Sequence, residues 1–190
     1  MGHPIDKNPR AYPNVVQGHL LDGRSYLLRS LVPNEIDNFY QLVEIYRDVY
    51  RELGEEWSKE NAANLLRDLF RHNSIQRVAF IEGEMVGAIC LGTKYNFHGR
   101  AVVGKEFFVR QPDQGSGIGT RMFETALDQA RVYYPDVETM ELATFADTGH
   151  ARDFYEKLGF KGDPRLIFME GDIHGVRKRL SERVGGENRI

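Results

Sequence analysis

The chain has one cysteine, Cys90, and one tryptophan, Trp57, among 190 residues. A lone cysteine excludes an intramolecular disulfide framework, and its place in the apolar run VGAICLG reads as a buried thiol in a reducing compartment. No apolar run is long enough to cross a bilayer, and the opening MGHPIDKNPR has no hydrophobic signal core. Asp6 stands where a myristoylation signal requires Ser or Thr. Basic residues number 25 against 28 acidic ones, for a formal net charge of -3, so the positive excess that dominates nucleic-acid binding is missing. The six histidines show no paired metal-ligand spacing with cysteine or carboxylate. From these absences we expect no metal, no nucleic acid, no membrane and a cytoplasmic location.

What is present is an ordinary globular composition, 41% hydrophobic and 28% charged, at a length suited to one domain. Two strand-like runs flank Asp22-Gly23 within residues 14–31, which predicts a tight hairpin. Apolar residues recur at three and four from Ile36 to Leu53, predicting an amphipathic helix that Gly54 ends. Ser58 can cap a second helix over 59–71. Three strands follow in QRVAFIEG, EMVGAICLGTKY and AVVGKEFFV, then a glycine-rich stretch and a helix that stops before Pro135. VETMELATF reads as a strand, GHARDFYEKL as a helix stopped by Gly159, and RLIFMEGD as a last strand. The expected fold class is α+β (mixed α/β), a single sheet with helices around it. Expected boundaries are an N-terminal arm over 1–13, a catalytic-sized domain over 14–172, and a short basic helix and tail over 173–190.

The stretch DQGSGIGTRMF, residues 113–123, places Gly115, Gly117 and Gly119 directly before a helix pattern. A dinucleotide fingerprint and a Walker-type loop beginning at Gly115 both require glycine at position 120, where this chain has Thr120. What remains is general physics: unpaired main-chain N–H groups at a helix start, with no Cβ atoms in the way, form a concave donor site for an anion such as a pyrophosphate. A plain strand-to-helix turn would use the same glycines for backbone angles alone.

The wider pattern resembles the GNAT superfamily of acyl-CoA-dependent N-acetyltransferases. Its phosphate-binding motif, Gln/Arg-x-x-Gly-x-Gly/Ala, is matched by Gln114, Gly117 and Gly119. A second motif, Asn-x-x-Ala-x-x-x-Tyr-Glu-Lys-x-Gly-Phe, is met by TGHARDFYEKLGF, with Ala151, Tyr155, Glu156, Lys157, Gly159 and Phe160 in place. The segment LLDGRSYLLRSLVPNE also resembles the opening of many members, so the likeness covers roughly residues 14–171. Two departures stand out: Thr148 replaces the usual Asn, and the proline usually found soon after the strand is displaced to Pro112.

The resemblance implies a central mixed, mostly antiparallel, twisted sheet with helices on both faces. It implies acetyl-CoA as cofactor, its pyrophosphate held by Gln114, Gly115, Ser116, Gly117, Ile118, Gly119 and Thr120. Phe108 and Val109 would pair with the pantetheine arm as if it were an added strand, in a splay between that strand and VETMELATF, and Thr148 would lie beside the cofactor arm. An alkylammonium with a pKa of about 10.4 must lose a proton before it attacks a thioester, and the departing thiolate, of parent pKa about 8.5, leaves more easily with an acid nearby. Tyr155 matches the family's tyrosine acid. Glu106 stands where many members carry a carboxylate base; an ion pair with Lys105, Lys94 or another basic neighbour is its alternative reading.

Members usually build the acceptor pocket from the first two helices, their connecting loop and the turn between the third and fourth strands. In this chain that region carries Glu44, Asp48, Glu52, Glu55 and Glu56 among Tyr40, Tyr46, Tyr50 and Trp57, with His98 in the NFHGR turn. We take Tyr46, Tyr50, Trp57, Glu56 and His98 as candidate substrate contacts for a cationic amine, through charge and cation–π attraction. A solvated helix face with tyrosines in the core is the competing account. The expected reaction is transfer of an acetyl group to a primary amine of a small molecule such as an aminoglycoside-like compound or a polyamine. A protein lysine or N-terminal amine is the alternative acceptor, and a non-catalytic acyl-CoA-binding regulatory module the alternative class. A homodimer is compatible with the resemblance.

Overall fold

A computed structural model describes residues 13–31, 35–71, 74–96, 99–144, 149–163 and 172–176. Residues 1–12 of the expected arm, nearly all of the expected last strand, and positions 177–190 lie outside these, as do His98 and Thr148. The chain divides into two compact units, residues 1–144 and 145–190.

The first unit is built on one six-stranded sheet whose strands lie in chain order. They are β1 (Val15–His19), β2 (Ser25–Arg29), β3 (Ile75–Ile81), β4 (Glu84–Asn96), β5 (Gly99–Val109) and β6 (Val137–Glu141). β1 through β5 pair antiparallel, while β6 runs parallel to β5. A parallel neighbour needs a crossover, and α3 (Ile118–Tyr133) provides it. α1 (Ile36–Glu52) and α2 (Lys59–Arg71) form the connection between β2 and β3.

The helices cover opposite faces of this sheet, as two consecutive residues demonstrate. Side chains alternate along a strand. Phe108 meets Tyr46 of α1 edge-on with ring centroids 5.2 Å apart, whereas its neighbour Phe107 meets Phe123 of α3 at 5.8 Å. The α1/α2 side packs Leu42, Val43, Tyr46, Ala62 and Leu66 against Val78, Phe80, Ala88 and Phe108. On α3 the buried residues Ile118, Met122, Phe123, Ala126 and Ala130 recur at helical spacing.

Local signals fix the ends. Gly54 takes a positive φ of 84° and donates to Arg51 O, while Glu55 N–H donates to Tyr50 O, a pair of bonds that satisfies the last carbonyls of α1. Ser58 Oγ accepts the Asn61 N–H at 3.1 Å and caps α2. The first hairpin differs in detail from expectation. Leu20 and Arg24 close it, with Leu20 N–H donating to Arg24 O, so three residues form the loop and only Gly23 takes a positive φ, 87°. Asp22 instead uses its carboxylate to hold Arg24. Glu82 and Gly83 make the β3–β4 turn, with positive φ values of 50° and 83°.

The second unit contains α4 (Gly149–Lys157). Gly159, at φ 91°, donates to Glu156 O and Phe160 N–H donates to Tyr155 O. This is the same helix-ending bond pair as on α1, and the rings of Tyr155 and Phe160 pack edge-on across it at 5.8 Å. Residues 173–176 are helical, and the Asp172 carboxylate accepts the Gly175 N–H at 2.6 Å.

Candidate active site on strand β5

Strand β5 carries the site because it changes partners along its length. Arg100–Val103 pair with β6, and Gly104–Val109 do not. Leu142, just past β6, lies so close to Gly104 that a Cβ there would be 3.0 Å from Leu142 Cβ, which marks where the strands part. On the other edge the β4–β5 register slips between Cys90 and Leu91: Cys90 faces Glu106 and Leu91 faces Gly104, leaving Lys105 as the extra residue of a bulge. A bulge bends its strand and redirects the neighbouring side chain. Here that neighbour is Glu106.

Glu106 shares the face of Phe108 and points toward α1. Tyr50 Oη donates to its Oε1 at 2.6 Å, the Phe107 N–H donates to the same oxygen at 3.2 Å, and Tyr46 Oη lies at 3.5 Å from Oε2. Tyr46 and Tyr50 stack at 4.4 Å, and both meet the Trp57 ring edge-on, at 5.5 and 6.2 Å. Tyr46 is only 1% exposed. Burial pushes the Glu106 carboxyl above its ordinary range, and the three donors oppose that rise without cancelling it. Both tyrosine hydroxyls are pushed up as well, chiefly by burial and then by the nearby Glu106 charge, so they stay protonated donors. The alternative ion pairs are not formed. Lys94 pairs with Glu141 at 2.5 Å, and the Lys105 chain runs over Gly92, whose missing Cβ leaves room for it.

The glycine turn starts where β5 ends. Arg110 N–H reaches Val86 O at 2.8 Å, so by alternation the N–H and C=O of Val109 point away from β4 toward the open edge. The carbonyl is taken by Gln114 Nε2 at 2.9 Å, which leaves the Val109 N–H for an added strand. After a short 3-10 turn over Gln111–Asp113, Gly115 and Gly117 take φ values of 78° and 91°. Open space lies where their Cβ atoms would be. Gly119 serves another purpose: it is helical, and a Cβ there would come within 3.1 Å of Phe107 Cζ, so its absence lets α3 sit close on β5.

Hydrogen bonds inside the turn leave a defined set of donors. Ser116 Oγ donates to Asp113 O at 2.7 Å and accepts the Ile118 N–H at 3.3 Å. Arg121 N–H donates to Gly117 O, the first bond of the helix. Among the described residues, no acceptor meets the N–H groups of Gly115, Gly117, Gly119 or Thr120. Ile118 is 1% exposed and anchors the turn in the core, while Gln114 and Thr120 are exposed. The turn therefore offers converging N–H groups and the positive end of α3 to an anion, with no side chain blocking approach at Gly115 or Gly117.

One contributor has little sequence signal. Asp113 is 2% exposed, and its carboxylate joins Arg24 from the first hairpin, at 3.0 Å, to Arg110 Nε. Arg110 extends to Glu84 at 3.0 Å. This cluster ties the hairpin, β4 and the start of the glycine turn. Arg110 and Asp113 three apart could have suggested the local pair; Arg24 lies too far away in sequence to be foreseen.

Of the other sequence-predicted residues, Tyr46, Tyr50 and Trp57 come together around Glu106, but Glu56 is exposed. Glu44 is engaged by Arg47 at 2.7 Å and Lys59 at 3.0 Å, and Asp48 by Arg51 at 2.8 Å, so these two acids serve the helix surface. Tyr155 is half-buried in its own unit, between Phe154 and Phe160. Among the described residues, no helix is long and apolar enough to cross a membrane, and no group of three His, Cys, Asp or Glu side chains could hold a metal ion.

The sequence matches the Acetyltransferase (GNAT) family over residues 39–160. No curated protein matches the chain significantly by sequence. Similar solved structures include a possible acetyltransferase from Clostridium difficile 630, with TM-score 0.63 and 14% identity over 78% of this chain and 99% of that one. A second is an aminoglycoside acetyltransferase, meta-AAC0020, from an uncultured soil metagenomic sample in complex with sisomicin, with TM-score 0.59 and 17% identity over 78% and 96% of the two chains. A third is a predicted acetyltransferase with acetyl-CoA from Clostridium acetobutylicum, with TM-score 0.60 and 13% identity over 76% and 96%. At these identities the structures speak for the fold. The family match runs unbroken from α1 through Glu106 and the glycine turn to the Tyr155 motif, and on that span the chain belongs to the GNAT acetyltransferase family and is an N-acetyltransferase enzyme.

Proposed function

We propose that the enzyme transfers an acetyl group from acetyl-CoA to a primary amine of a small molecule, of aminoglycoside-like or polyamine type. The observation that carries this reading is the position of a half-buried carboxylate, Glu106, on the strand that leads into a turn whose N–H groups meet no acceptor among the described residues, beside a strand edge with an available donor at Val109. The donors of Gly115, Gly117, Gly119 and Thr120 suit a diphosphate in number and charge. The solved relatives with acetyl-CoA and with sisomicin favour the same pairing of cofactor and acceptor.

Acetyl-CoA, when bound, supplies a thioester whose carbonyl carbon the amine attacks and whose sulfur departs as thiolate. Glu106 takes a proton from the acceptor ammonium, exposing the nitrogen lone pair; a carboxyl raised by burial is better matched to that transfer near neutral pH than an ordinary one. By the family pattern alone, Tyr155 is assigned as the acid that gives its proton to the departing sulfur and regains one from solvent. The second nitrogen proton is lost as the amide forms, so one proton is released overall for each ammonium acetylated. Thr148 and His98 remain assigned to the cofactor arm and the acceptor by the family pattern alone.

The test is thiol release from acetyl-CoA with a panel of amines that includes aminoglycosides, polyamines and a lysine-containing peptide. Turnover with the small amines supports the reading. Turnover with the peptide alone would replace the acceptor class, and binding of acetyl-CoA without turnover of any amine would favour a non-catalytic module.

A further inference from the structure

The two oxygens of Glu106 are not equivalent. Oε1 receives two donors, Tyr50 Oη at 2.6 Å and its neighbour's N–H, that of Phe107, at 3.2 Å. Among the described residues, Oε2 has only Tyr46 Oη, at the limit of a hydrogen bond, 3.5 Å. A carboxylate oxygen already holding two donors is a weaker proton acceptor than its twin, because each donor stabilises charge on that oxygen. Tyr50 is itself held by stacking on Tyr46 and by the edge of Trp57, so its hydroxyl has little freedom to turn away.

We propose that Tyr50 is a positioning residue: with the Phe107 N–H it fastens Oε1 of Glu106, sets the plane of the carboxylate, and leaves Oε2 as the oxygen that accepts the proton of the incoming ammonium. The inference rests on the reading of Glu106 as the base and adds a residue that acts through it. The other groups near Glu106 do not supply the same restraint. Cys90 faces it from β4, and burial pushes that thiol up, so it stays neutral. Lys105, beside it on β5, lies over Gly92, and Glu55, past the end of α1, adds to the rise of the Tyr46 hydroxyl.

The direction of the effect follows from which protonation state the bond favours. Tyr50 Oη donates most strongly to the ionised carboxylate, so removing it makes the carboxyl harder to ionise. Tyr50→Phe keeps the ring and its stacking and deletes only the donor. Two readouts apply. Carboxyl ¹³C titration by NMR, with the Glu106 signal assigned by its loss in Glu106→Gln, is expected to show the Glu106 midpoint rise by about one pH unit in Tyr50→Phe. Tyr46→Phe is expected to give a smaller rise. The acid limb of kcat/KM for an amine that the enzyme turns over is expected to move to higher pH by the same amount.

An unmoved Glu106 midpoint in Tyr50→Phe, or an equal rise in both tyrosine variants, would overturn the proposal whatever the activities. The base assignment fails separately, and recognisably, if Glu106→Gln keeps the wild-type acid limb and rate. A Glu106 midpoint that rises in Tyr50→Phe while the acid limb stays fixed would confine Tyr50 to structure and also overturn the positioning role.

Discussion

Gly119 on α3 and Phe107 on β5 are packed so closely that a single added methyl at Gly119 would lie 3.1 Å from Phe107 Cζ. The third glycine of the turn thus answers a packing requirement, whereas Gly115 and Gly117 answer a conformational one. Gly119→Ala is expected to push α3 off β5 and weaken acetyl-CoA binding by about tenfold, roughly 1.4 kcal/mol. Phe107→Leu in the same chain removes the ring edge and is expected to restore most of the affinity. Calorimetric titration of the two variants checks this; absence of rescue would mean that Gly119 is needed by the ligand itself.

Gly117 has room for a methyl group but sits at φ 91°. Gly117→Ala is therefore strained without any clash, at a cost of about 1–2 kcal/mol. The expected result is a drop in both urea-unfolding stability and acetyl-CoA affinity, with no compensating variant at Phe107. Unchanged affinity would detach the N–H groups at this position from the cofactor.

Asp113 holds two guanidinium groups that are themselves 38% and 34% exposed in their side chains. Asp113→Asn leaves those cations able to hydrate, so the expected loss of stability is modest for a buried pair, about 1–3 kcal/mol. Arg24→Ala should cost less in that background than in the wild type, because both changes break the same tie. Additive losses in urea melts would show that the cluster does not act as a unit.

Glu106 lowers the stability of the fold as it ionises. Its folded pKa lies above its unfolded value, so the native state holds the proton more tightly and stability falls as pH rises between the two values. Glu106→Gln keeps the shape and can still accept from Tyr50. The expected outcome is a higher Tm than wild type at pH 8, a difference that shrinks toward pH 4, together with a loss of about a hundredfold or more in kcat. A lower Tm across the whole pH range would contradict the burial account.

Tyr155→Phe removes the assigned acid while leaving the edge packing against Phe160 in place. A loss on the order of ten- to a thousandfold in turnover is expected, with little change in Tm. An unchanged rate would take the tyrosine out of the chemistry.

Much of this architecture was legible in the chain because the relevant signals are local. The apolar spacing of α1, the stops at Gly54 and Gly159, the cap at Ser58 and the glycine turn are each written within a few residues, and each has its counterpart in the structure. Pairings between distant residues were not legible. Tyr50 and Glu106 lie 56 residues apart, and Arg24 and Asp113 lie 89 apart, so neither bond leaves a sequence trace. The acids of α1 show the reverse problem: Glu44 and Asp48 suggested a pocket by composition, yet Arg47, Lys59 and Arg51 were within reach to neutralise them. The slip in register at Lys105, which turns Glu106 toward α1, depends on how two strands pair and has no marker in either alone.

The most direct measurement is the ¹H–¹⁵N amide spectrum of the protein during titration with acetyl-CoA. The N–H signals of Gly115, Gly117, Gly119 and Thr120, which have no acceptor among the described residues, should move downfield together and saturate with ligand. Saturation of the protein with those four signals unmoved would contradict the claim that this turn grips the diphosphate.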